Sequence, residues 1–213
     1  MTLRRLLLSV FLGMLILSAS IWIQYVLARP DMTGFSPQEM GRLESAMWRS
    51  YYEGHWFRLG TQTMAVACGQ YGFSWWDGVR SSFHAARSAL FFRKNTEDPR
   101  CLPELEQYYA IIRNATGRDY DVRTAAALEL KWWKDRRSGV APRDYAKTIA
   151  QSAALVYRVT EEEILAAATM RAEAMAYRDA RRNGKMTESD WQEVATQLTL
   201  GYSAFHKAVT KAR

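Results

Sequence analysis

Cysteine and histidine are scarce, and most metal and redox chemistry goes with them. Cys68 and Cys101 are the only cysteines, and His55, His84 and His206 stand isolated. No CxxC, CxxCH, HExxH or ExxH occurs, which disfavours zinc fingers, thioredoxin-type redox, covalent haem and di-iron bundles. Glu53 and His55 are two apart and do not share a helix face. A P-loop, GxGxxG and GxSxG are missing as well, so no phosphate cradle or nucleophile elbow is marked. No catalytic residue, cofactor or metal ligand is assigned, and the chain is read as a non-enzyme. Strand patterning is also absent. Valine and isoleucine are scattered singly, without the period-two alternation of a half-buried sheet.

What the chain does have is an uncharged apolar run, Leu6 to Ala28, directly after Arg4 and Arg5. About 23 residues at ~1.5 Å rise span roughly 34 Å, enough to cross a ~30 Å hydrocarbon core with some tilt. A cleaved signal peptide is the competing reading, with cleavage sites at Val26-Leu27-Ala28 or Ser18-Ala19-Ser20. Its apolar part is typically only about 7–15 residues, and Trp22 and Tyr25 suit an interfacial aromatic anchor. A retained anchor over residues 1–28 is therefore preferred. The arginines keep the amino terminus cytoplasmic, placing the remainder of the chain in the periplasm or outside the cell.

Residues 29–36 read as a tether, and 37–213 as one helical domain. The formal charge is +7 for the chain. Setting aside Arg4, Arg5 and Arg29 leaves about +4, a mixed solvated surface with no case for nucleic-acid binding. Cys68 and Cys101 would close a loop worth roughly 3–4 kcal/mol if bridged. A ~25 Å helix between them favours reading both as small buried hydrophobes.

Seven helices are expected after the anchor, so the fold class is all-α: an N-terminal transmembrane helix and a bundle of about six to seven antiparallel helices. Ser36-Pro37-Gln38-Glu39 starts the first, which is expected to run towards Cys68 despite Gly54 and Gly60. Asp121 caps another over Val122 to Arg137, and Thr160 with Glu163 forms a capping box. Asn183-Gly184 closes that helix, and Thr187 with Asp190 opens the last. No repeat of fixed period is found.

The residues support two functional expectations. Aromatic doublets, including Trp75-Trp76 and Trp132-Trp133, either fill the core or form a contact surface. Trp75, Trp76, Trp132, Trp133, Arg136 and Arg137 are the candidate partner-binding residues, with Arg181 and Arg182 adding charge. They would make the domain a non-catalytic interaction or accessory subunit, packed against a larger inner-membrane complex or an envelope partner on the periplasmic side. The alternative is a small-ligand or enzymatic domain with an aromatic-lined pocket around Glu129. That glutamate lies among apolar neighbours and needs a cation or hydrogen-bond donors if buried. Arg171, Glu173, Arg178 and Asp179 are candidates for that network.

Three stretches carry a resemblance: Trp48-Arg-Ser-Tyr-Tyr52, Glu129-Leu-Lys-Trp-Trp-Lys-Asp-Arg-Arg137 and Arg171-Ala-Glu-Ala-Met-Ala-Tyr-Arg-Asp179. The domain resembles an uncharacterised group of small bacterial membrane-anchored helical proteins. The resemblance implies a bacterial inner-membrane setting and brings no activity, ligand or catalytic residue.

Overall fold

The computed structural model describes residues 3–27, 30–181, 184 and 186–211. Ala28, Arg29, Arg182 and Asn183 lie outside the described residues, as does the Tyr25 side chain. Among the described residues there are nine α-helices and no strand. α1 (Leu3–Leu27) is long and apolar enough to cross a membrane, and its leucines and isoleucines from Leu6 onward stand exposed.

Local sequence accounts for most of the boundaries. α2 (Pro37–Glu53) opens where Ser36 Oγ accepts from the Glu39 N–H, with Pro37 pre-set for the first turn. It ends at Gly54, whose φ of +78° lets its N–H reach Ser50 O. That left-handed residue corrects the helix count: the expected single helix to Cys68 is divided into α2 and α3 (Trp56–Met64). α3 then widens into a π-helical turn, Ala65–Gln70, closed by Tyr71 N–H on Val66 O at 3.1 Å. Ser74 caps α4 (Trp75–Lys94), and α5 spans Cys101–Thr116. Asp121 caps α6 (Val122–Arg137) as expected, and α7 (Pro142–Tyr157) begins on its proline. The Thr160–Glu163 capping box opens α8 (Glu161–Ala180), and α9 covers Glu188–Lys211.

Packing runs in chain order from α4 through α9, each helix against the next. α9 then packs on α2, and α3 joins α2 to α4, so the domain helices form a closed circuit. Such nearest-neighbour packing is solenoid-like, but here the two ends meet. The closure is tight at Gly41 of α2, where an added Cβ would lie 2.6 Å from Thr199 N and 2.8 Å from Thr199 Cα. Two large apolar clusters result, one around Trp132, Tyr145, Ile164 and Met175, the other around Leu105, Tyr109, Ile112 and Tyr120. Tyr71, Trp133 and Tyr157 pack against both.

The cysteines are both free. Cys68 Sγ donates to Ser74 O and Cys101 Sγ to Ser88 O, each at 3.7 Å. Thiol titration of the denatured chain without reductant should therefore report two thiols. A count of zero would place a bridge where the structure has none.

Candidate functional site

At the seam between the two clusters lies a cavity of about 270 Å³, lined from α2, α5 to α9 and the π turn. Its charged walls are Glu44, Glu129 and Arg171; five tyrosines, 71, 108, 109, 157 and 202, supply most of the aromatic surface. Arg171 lines the cavity and keeps 29 % of its side-chain surface accessible.

Arg171 and Glu44 form a buried pair across α8 and α2. Nε and Nη2 donate to Glu44 Oε1 at 2.9 and 2.6 Å, and Tyr202 of α9 donates to Oε2 at 2.6 Å. Glu44 is only 5 % exposed, so these donors replace its water. Burial acts against the Arg171 cation, but Glu44, Tyr202 and Glu129 outweigh it and hold its pKa above the ordinary arginine value. The Arg171 guanidinium also lies over the Trp132 ring, 5.3 Å from its centroid.

Glu129 is held differently. Its Oε2 accepts from Tyr109 at 3.0 Å and Trp132 Nε1 at 2.9 Å, and its Oε1 from Trp133 Nε1 at 3.0 Å. The donors are three neutral groups, not the cations suggested by the sequence. Of the candidate network, Arg171 pairs with Glu44 and Arg178 with Asp179, while Glu173 is exposed.

The candidate contact residues are divided by the fold. Trp75 and Trp76 are about half exposed and stacked on one another, with Trp56, Phe57 and Phe83 also exposed on α3 and α4. Trp132 is 6 % exposed and Trp133 half-buried, so this doublet serves the core and holds Glu129, not an outer face. Arg136 is tied to Asp179 at 2.8 Å and to the Tyr52 hydroxyl at 2.9 Å, while Arg137 stands exposed. No group of three or more potential metal ligands exists among the described residues. Glu44, Tyr71, Tyr157 and Tyr202 are among the site residues that the sequence did not single out.

The tyrosines give the domain an alkaline limit. Burial first, then neighbouring charge, pushes Tyr109, Tyr157 and Tyr202 well above the usual value of 10.0, and Tyr71 and Tyr108 upward too. Burial moves Tyr145 up to about 12. A raised phenol contributes stability that is intact below the unfolded pKa and lost as pH climbs through the folded one. Stability should thus fall from about pH 10 upward, by about 1.4 kcal/mol per pH unit for each such tyrosine. Tyrosinate absorbance should appear together with unfolding. Smooth ionisation of all tyrosines near pH 10 in the folded chain would refute this.

No family model, curated protein or solved structure matches this chain. By its fold it is an all-helical domain behind one membrane-length apolar helix, and by its site a domain with a charged, tyrosine-lined cavity.

Proposed function

We propose that this chain is a membrane-tethered, non-catalytic domain that binds a small organic molecule in its central cavity. The observation that carries the reading is the cavity itself, set among carboxylate, guanidinium and phenolic groups at the seam of the two apolar clusters. A dry apolar cavity of ~150 Å³ already accepts benzene, and polar cavities of this size are solvated or occupied. Binding is favoured over catalysis because both glutamates are engaged, each with three donors, and neither is paired with a nucleophile. In this reading α1 anchors the domain in a bacterial inner membrane, on the periplasmic side. The tether keeps the cavity beside a bilayer into which amphipathic molecules partition.

The test is a thermal-shift screen of the full chain in mild detergent, run beside Ala153→Leu, which places a larger side chain in the cavity wall. Binders should stabilise the wild type in proportion to the logarithm of concentration and leave the filled variant unmoved. No shift with any small molecule, or equal shifts in both proteins, would contradict the reading.

A second reading, the accessory subunit, is favoured by the exposed Trp56, Phe57, Trp75, Trp76 and Phe83. Asp31 N–H bonds Tyr71 O at 2.9 Å, which fixes the chain leaving α1 close to the start of α4. The occupant proposed for this face is the apolar flank of a membrane subunit at the same depth. Trp76→Ser should then strip a stoichiometric subunit that the wild type retains, and unchanged recovery would dismiss the role.

A further inference from the structure

Resting on the cavity-binding reading, we propose that the cavity recognises an uncharged molecule bearing a carbonyl-type oxygen and rejects anions of the same size. Hydrogen bonding points to the oxygen, and charge counts against the anion.

The hydrogen-bonding groups come first. Each carboxylate already accepts three hydrogen bonds of its about four sites: Glu44 two from Arg171 and one from Tyr202, and Glu129 one each from Tyr109, Trp132 and Trp133. Beside the one acceptor site left on each carboxylate, the cavity leaves donors open. Arg171 spends Nε and Nη2 on Glu44, and its Nη1 has no protein partner among the described residues. The Tyr108 hydroxyl, on the same cavity wall, has none either. Neither is among the sealed, unsatisfied polar atoms, and both residues line the cavity. An enclosed guanidinium N–H without an acceptor is costly, and a ligand oxygen there would make a charge-assisted bond.

Charge selects among the acceptors. The charged lining residues are two glutamates and one arginine, a net charge of −1. A carboxylate or phosphate ligand would raise that to −2 or beyond in a low-dielectric space, where like charges repel strongly. Free donors usually invite anions, but here Glu44 has already neutralised the arginine. A neutral acceptor satisfies the open donors without adding charge. The surrounding Tyr71, Tyr157 and Phe205 rings suit a flat apolar body.

The test titrates the full chain, in detergent, with four probes of one size: acetophenone, cumene, benzoate and 1-phenylethylammonium. The readout is intrinsic fluorescence, since the Trp132 and Trp133 indoles both bond Glu129 at the cavity. Acetophenone should bind tightest, cumene about tenfold or more weaker for want of an acceptor, and benzoate without saturation. Tyr108→Phe should weaken acetophenone several-fold and leave cumene unchanged, whereas a general loss of packing would weaken both. If cumene matches acetophenone, or benzoate or the ammonium binds best, the cavity is a binding site but this recognition is wrong. If no probe binds, the binding reading fails with it. Should Tyr108→Phe not fold, the wild-type ranking alone decides.

Discussion

Arg171→Met is expected to destabilise the domain by about 3–5 kcal/mol, a large share of the ~5–15 kcal/mol that holds a typical domain together. The cause is not the loss of an attraction alone. Glu44 is 5 % exposed, and without Arg171 its carboxylate keeps one donor, the Tyr202 hydroxyl at 2.6 Å. A buried charge left in that state must be neutralised or hydrated, and either route costs folding free energy. The double variant Glu44→Gln with Arg171→Met should recover most of the loss, because an amide carbonyl still accepts from Tyr202 and no charge remains. Urea unfolding of the three proteins in the same detergent checks this. A single variant as stable as the wild type would mean that water reaches the pair freely.

Gly41→Ala is expected to be comparably damaging for a different reason. Its Cβ would stand 2.6 Å from Thr199 N and 2.8 Å from Thr199 Cα, so α2 and α9 must move apart. Overpacking of this kind costs about 1–3 kcal/mol and more where backbone, not a side-chain end, is in the way. The Thr199→Ala change should not rescue it, since the Thr199 main chain still obstructs once the hydroxyl is gone. Because α2 on α9 closes the circuit, the same variant should also loosen the cavity and weaken ligand binding. Rescue by Thr199→Ala would show that only the hydroxyl blocked the site.

Much of this architecture is legible in the sequence, for reasons that can be named. Caps are local, so Ser36, Asp121 and Thr160 mark helix starts that the backbone confirms. The division at Gly54 is less visible, because glycine inside an apolar pattern is compatible with either a continued helix or a left-handed cap. The π turn has no composition of its own to betray it. Closure of α2 on α9 cannot be read either, since it joins residues such as Glu44 and Tyr202 that lie 158 positions apart.

The cavity is half visible. Glu129 among apolar neighbours points to a buried carboxylate, and the structure puts it on the cavity wall. Its partners differ from those expected: tryptophan and tyrosine N–H and O–H groups take the place of the arginines. Glu44 has a signal too. It falls one turn after Met40 and one before Met47 and Trp48, a charge on an apolar stripe, and Arg171 interrupts the Ile164, Ala168, Met175 stripe in the same way. Two opposite charges, each on the buried face of its own helix, are the pattern that finds the pair.

The most direct test of the cavity as a binding site is native mass spectrometry of the full chain released from its own membranes in mild detergent, beside Ala153→Leu prepared identically. The expected result is a wild-type chain carrying one non-covalent, uncharged organic molecule, and a variant that arrives bare. A bare wild-type chain, or the same adduct on both proteins, would contradict the claim that the central cavity is a binding site.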